Sequence, residues 1–169
     1  MTENCSLAPA TPPSREDHPG VVMKPPKIFL LFILAGLALD ALLPWRLIPG
    51  IEGPLATGVG VLLLLAGIIV MWRAVARFGR EGTNVPTDRP AETLVTNGIY
   101  RHTRNPIYVA FMALYLGIGF VLGNAWILIL ALPFLLILHF GVVAREERYL
   151  EAKFGEAYRS YRRRVRRWL

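Results

Sequence analysis

Residues 55–72 read LATGVGVLLLLAGIIVMW, a stretch that can cross a bilayer without placing one charge in it. Three more apolar blocks stand beside it: residues 28–48, 107–122 and 125–144. At about 1.5 Å rise per residue, 16 to 20 residues reach roughly 24–30 Å, close to the thickness of a bilayer's hydrocarbon core. The blocks are apolar on every side rather than striped, as lipid-facing helices must be. The chain has only 169 residues, 54% hydrophobic and 18% charged, which leaves too little polar sequence to wrap four such blocks in water. The expected fold is an all-α integral membrane protein with four transmembrane helices in two hairpins plus a cytoplasmic C-terminal amphipathic helix. A lone cysteine, Cys5, excludes an internal disulfide framework and a multi-cysteine zinc site, and no metal is expected.

The net charge of +7 is distributed by position. Lys and Arg occur before the first block (Arg15, Lys24, Lys27), in the middle segment 73–106 and in the tail 145–169. The first short connection holds only Arg46, and the Gly123-Asn124 turn holds none. With four crossings, 18 of the 19 cationic residues fall on one side. The positive-inside rule then puts both termini and the middle segment in the cytoplasm, in an inner or plasma membrane. Residues 1–27, rich in Pro and polar residues, read as a disordered cytoplasmic tail before one membrane-embedded domain over 28–169. A cleaved signal peptide fits poorly, because its n-region would be too long.

Some polar residues stand where membrane helices do not need them. Asp40 lies toward the outer end of the first block, where pairing with Arg46 is favoured over a functional role. His139, at helical spacing from Val142, Val143, Glu146 and Leu150, either bonds a neighbouring helix or lines a pocket above Glu146. Gly58, Gly60, Gly117, Gly119 and Gly123 suit close helix packing. Asn105-Pro106 has the form of an N-cap followed by Pro in the first turn, and Arg104 adds charge to that helix start. An anionic group can dock at such an end. Beyond Gly155, which is expected to end or bend the last helix, Tyr158, Tyr161, Val165 and Trp168 recur every three or four residues among arginines. That stripe suits a basic helix lying on anionic lipid, or a lid folded back over the cluster at residues 145–147. Four apolar blocks upstream argue against the nucleic-acid arm that such a tail otherwise suggests.

Two segments, Gly98-Ile99-Tyr100 leading to Arg104-Asn105-Pro106 and Tyr108, and Glu146-Glu147 leading through Leu150, Phe154 and Gly155 to Tyr158, Tyr161 and Arg164, are separated by one hydrophobic hairpin. Together they resemble the isoprenylcysteine carboxyl methyltransferase and phospholipid methyltransferase superfamily, integral membrane enzymes that use S-adenosylmethionine. The resemblance covers residues 94–164 and says nothing specific about substrate. It implies that Leu94, Val95, Tyr100, Asn105, Pro106, Ile107 and Tyr108 enclose the cofactor and that Glu146 contacts it. The family commonly has Arg-His-Pro where this chain has Arg104-Asn105-Pro106, which puts any contact needing a ring in doubt. Val142 stands near where isoprenylcysteine-type members carry a substrate-contacting Arg, so prenylcysteine recognition is not supported.

Charge and geometry suggest the partners within such a site. Arg104 and the helix start suit the cofactor carboxylate, Glu146 suits its ribose or ammonium group, and Tyr100 and Tyr108 suit the adenine. Arg145 is expected beside Glu146 in the chemistry, and Glu147 or His139 is the base if the acceptor is an amine. The acceptor is expected to be a small lipophilic molecule or lipid bearing a carboxylate, thiol or amine. The competing readings are a noncatalytic four-span scaffold or transporter subunit and a steroid-reductase-like oxidoreductase.

Overall fold

A computed structural model describes residues 20–21, 23–44, 53–80 and 91–169. All regular structure among these residues is helical. Helix α1 (Pro25–Leu42) opens on two prolines, which lack an N–H that the first turn would leave unpaired anyway. It stops ahead of Pro44, so the described part of the first block ends sooner than expected. Residues 45–48, Arg46 as the expected partner of Asp40, and residues 1–19 of the expected disordered tail lie outside the described residues. Helix α2 (Pro54–Arg80) runs two turns beyond the expected end at residue 72 and carries Arg77 and Arg80 in its last turn, where the helix dipole favours cations.

Helix α3 (Pro106–Leu122) and helix α4 (Ala125–Ile137) form a hairpin about Gly123-Asn124, and the Asn124 side chain caps α4 by accepting from the Ile127 N–H at 2.9 Å. Helix α4 runs without a break through a π-helical stretch (Leu138–Val143) into α5 (Ala144–Arg164). Three of these helices, Pro25–Leu42, Pro54–Arg80 and Ala125–Arg164, are long and apolar enough to cross a membrane; α3 is apolar but has 17 residues.

Small residues set the packing. Helices α2 and α3 lie antiparallel with their backbones in near contact: a Cβ at Gly60 would sit 2.9 Å from the Gly117 carbonyl oxygen. Further along, Gly67 faces Leu114 in the same way. On the other side α1 packs against α4, with Gly36 seated on Ile127. Phe29 of α1, Tyr115 of α3 and Phe134 of α4 meet between the helices, the last two stacked at 4.6 Å. Of the glycines expected to mediate packing, Gly58 faces open space and Gly123 instead ends α3 at φ 62°.

Of the two placements expected for the tail, a stripe on lipid or a lid folded back over residues 145–147, the structure takes the second for Tyr158 and Tyr161. Gly155 interrupts α5 at φ 52°, ψ −123°, a conformation a side chain disfavours, and turns the chain back. Tyr158 and Tyr161 are consequently buried in the protein, and Trp168 stacks on His139 at 5.9 Å. The exposed arginines are partly neutralised by their own segment: Arg159 and Arg163 pair with Glu156, and Arg162 with Glu151.

Candidate active site

The loop before α3, the start of α3 and the start of α5 converge at one end of the bundle. A short 3-10 turn (Gly98–Arg101) presents Tyr100, whose ring stands edge-on to Phe78 of α2 at 5.5 Å. Pro106 then starts α3, so that Tyr108 points from its first turn across to α5. The Tyr108 hydroxyl donates to Glu146 Oε2 at 2.7 Å, and both residues are buried. The neighbouring carboxylate, Glu147, points elsewhere. It receives Arg167 Nη2 at 2.7 Å and Arg104 Nη2 at 3.3 Å.

The C-terminal segment closes this arrangement. The Arg104 N–H donates to the Arg166 carbonyl at 2.9 Å, and the Thr103 hydroxyl donates to the Arg167 carbonyl at 3.1 Å. Asn105 Nδ2 donates to the Arg167 carbonyl at 3.0 Å and reaches Glu147 Oε1 at 3.5 Å. Asn105 therefore begins α3 without a side-chain cap and spends its amide holding the tail. The Tyr161 hydroxyl donates to the Tyr100 carbonyl at 2.7 Å, fixing the tail to the 3-10 turn.

Between these elements lies a cavity that all nine expected cofactor residues line: Leu94, Val95, Tyr100, Arg104, Asn105, Pro106, Ile107, Tyr108 and Glu146. Glu147 of the three expected catalytic residues lines it as well. His139 and Arg145 do not. Arg145 is exposed and donates to the Gly20 carbonyl at 2.9 Å, so its expected place beside the chemistry is not where the structure puts it. His139 accepts from Arg167 Nη1 at 3.1 Å instead of standing over Glu146. His139 would share a face with Glu146 at 3.6 residues per turn, but the π-helical stretch from Leu138 to Val143 breaks that period.

The electrostatics of the pocket are uneven. Burial pushes the Glu146 carboxyl up to about 7, the Tyr108 hydrogen bond opposes this, and the Glu147 charge adds to it. Burial and then Glu146 hold the Tyr100 phenol well above its ordinary range. Tyr158 and Tyr161 are raised chiefly by burial too, so these three hydroxyls stay neutral. The Arg104 side chain is 8% exposed, yet its Nε and Nη1 have no hydrogen-bond partner among the described residues. Arg104 is charge-paired with Glu147, but buried N–H groups left without an acceptor are costly, and these suit a hydrogen-bond acceptor such as a carboxylate. Sequence reasoning left out Phe78 and Arg167, whereas the inward placement of Tyr158 and Tyr161 corresponds to the folded-back lid, one of the two placements expected for the tail.

Residues 55–157, well over half of the chain, match the phospholipid methyltransferase family. The chain belongs to the phospholipid methyltransferase family. It is also 41% identical over 75 residues to the protein-S-isoprenylcysteine O-methyltransferase of Schizosaccharomyces pombe, 43% of this chain but 30% of that protein. An uncharacterized protein of Haemophilus influenzae is 40% identical over 63 residues, its whole length and 37% of this chain. No solved structure matches the chain significantly. Membership in the phospholipid methyltransferase family, with three helices fit to cross a bilayer, supports a multi-pass membrane methyltransferase over the scaffold and reductase readings.

Proposed function

We propose that the protein is an S-adenosylmethionine-dependent methyltransferase that acts on a small lipophilic acceptor at the cytoplasmic face of an inner or plasma membrane. The observation that carries this reading is the pairing of two complementary, buried and incompletely satisfied groups in one pocket. Arg104 has two nitrogens without a hydrogen-bond partner among the described residues, and burial pushes the Glu146 carboxyl up to about 7. S-adenosylmethionine carries a carboxylate for the first and an ammonium group and a ribose diol for the second, so the donor set fits. When bound, it supplies a sulfonium methyl group to a nucleophile. The residues around it position and shield. Tyr108 orients Glu146, and the Arg104–Glu147–Arg167 cluster fixes the guanidinium that would take the carboxylate. Phe78, Val95 and Ile107 give the pocket apolar walls suited to adenine.

The enclosed space is ≈ 50 Å³, room for a water or two, so a nucleoside enters only when the tail lifts from the pocket. Its return would exclude water from the displacement. An acceptor carboxylate or thiolate needs no base. The two bases expected for an amine acceptor are engaged, Glu147 by two arginines and His139 Nε2 by Arg167, which favours an acceptor that needs no base. Anionic lipid binding by the tail remains part of the proposal only through arginines not already paired with Glu151 and Glu156.

Titration calorimetry of the detergent-solubilised full chain with S-adenosylhomocysteine tests the reading. Binding is expected, weakened at least about tenfold by Arg104→Gln or Glu146→Gln, the scale of losing one charged hydrogen-bonding partner. Arg145→Gln should leave it unchanged. Folded protein that takes up no ligand at high micromolar concentration overturns the proposal.

A further inference from the structure

Among the described residues, four buried side-chain polar atoms make no hydrogen bond, and three of them belong to two residues that line the same cavity. These are Nε and Nη1 of Arg104 and the hydroxyl of Tyr158. The fourth, the Tyr115 hydroxyl, lies between the helices, its ring stacked on Phe134. Each of these atoms has given up its hydrogen bonds to water without replacement. A single orphan can be a local misfit of packing, whereas three around one space are what a bound acceptor would satisfy.

The two residues are neighbours. Tyr158 is 1% exposed, and the Arg104 charge acts on its phenol, behind the larger effects of burial and of Glu147. The phenol keeps its proton, so all three groups present a hydrogen to donate, and the two oxygens of a carboxylate can accept several such bonds. Arg104 Nη2 is already spent on Glu147 at 3.3 Å, which Arg167 shares at 2.7 Å. Two guanidinium groups thus divide one carboxylate, and a second carboxylate can join Arg104 at Nε and Nη1 without displacing the first.

We propose that Arg104 Nε and Nη1, together with the Tyr158 hydroxyl, form a three-donor subsite for the amino-acid carboxylate of S-adenosylmethionine. The inference rests on the cofactor reading and adds Tyr158 to it. Tyr158 lies beyond the turn at Gly155, whereas Arg104 precedes α3, so a carboxylate held by both fastens the tail to the start of that helix. The ligand's own carboxylate would then close the tail over it.

Titration calorimetry of the full chain in detergent, with S-adenosylhomocysteine and with its decarboxylated form, tests the subsite. Tyr158→Phe should weaken S-adenosylhomocysteine roughly tenfold or more, the scale of one hydrogen bond to a charged group, and leave the decarboxylated ligand unchanged. Without ligand the variant should melt no lower than the wild type, because the hydroxyl it loses has no partner in the protein. In the wild type, S-adenosylhomocysteine should slow trypsin at the arginines of residues 162–167 more than the decarboxylated ligand does. Folded wild-type protein that binds neither ligand overturns the cofactor reading and the subsite with it. Where the wild type binds, the subsite alone falls if Tyr158→Phe leaves S-adenosylhomocysteine binding intact or weakens both ligands alike. It falls equally if the ligand-free variant is less stable, or if the two ligands protect the tail to the same degree.

Discussion

Glu146 and Glu147 are adjacent in sequence and alike in burial, yet their surroundings assign them opposite work. Glu147 is clasped by Arg104 and Arg167, whereas Glu146 meets only the neutral Tyr108 hydroxyl among the hydrogen bonds and ion pairs described. That difference is testable through pH. The Glu146 carboxyl is raised in the fold from 4.5 to about 7, so the folded state holds the proton more tightly than the unfolded chain does. Below about pH 4.5 both states are protonated and the stabilisation is fully present; it declines as pH rises and is gone above about 7. At about 1.4 kcal/mol per pH unit, the loss is on the order of 3 kcal/mol. Thermal unfolding of the ligand-free protein in detergent should therefore shift to lower temperature between pH 5 and pH 8. In Glu146→Gln that part of the pH dependence should vanish; parallel curves for the two proteins would show that Glu146 is not the titrating group. A ligand that engages the carboxylate form reverses the trend, so S-adenosylhomocysteine binding should tighten with pH up to about 7.

At the scale of elements, the tail is where sequence and structure part. The apolar blocks, the Gly123-Asn124 turn and the start of α3 at Pro106 were legible because each rests on local chemistry: run length, capping and proline geometry. Eight of the nine expected cofactor residues came from a resemblance and Arg104 from its charge at a helix start, and one cavity brings all nine together. The π-helical stretch was not legible, since no residue in Leu138–Val143 forbids an ordinary helix and only tertiary packing selects the wider turn. The direction of the tail was equally hidden. A stripe of Tyr158, Tyr161 and Trp168 suits lipid as well as protein, and the choice rests on the backbone of Gly155. A Cβ at Gly155 meets nothing within 4 Å, so Gly155→Ala tests the backbone conformation by itself. The strain, about 1–2 kcal/mol, should loosen the tail without disturbing the helical bundle. Limited trypsin digestion at the arginines of residues 162–167 should become several-fold faster, while far-ultraviolet circular dichroism stays unchanged. Equal digestion rates would mean that the turn at Gly155 does not hold the tail in place.

For the whole molecule, the two ends of the bundle are chemically distinct. At one end Tyr108 of α3 meets Glu146 of α5, Phe78 of α2 meets Tyr100, and Gly20, ahead of α1, meets Arg145. At the other, Trp126 at the start of α4 donates to the Leu43 carbonyl at the end of α1 at 2.7 Å. Helix α3 is bracketed between the same two ends as α2 and α4, so if those helices cross a bilayer, its 17 residues cross with them, near the lower limit for a span. The end that carries the pocket also carries the arginines of α2 and the tail, whereas Leu43 and Trp126 mark an end without them. The charge rule supports the proposed orientation, with the pocket on the cytoplasmic side. In a Cys5→Ser background, a membrane-impermeant maleimide should label Pro44→Cys in intact cells. Asn97→Cys and Arg162→Cys should react only after the membrane is opened. Labelling of both of the latter in intact cells would invert the orientation, and labelling of one alone would break the four-span arrangement, because the Tyr161–Tyr100 hydrogen bond requires those two segments on the same side.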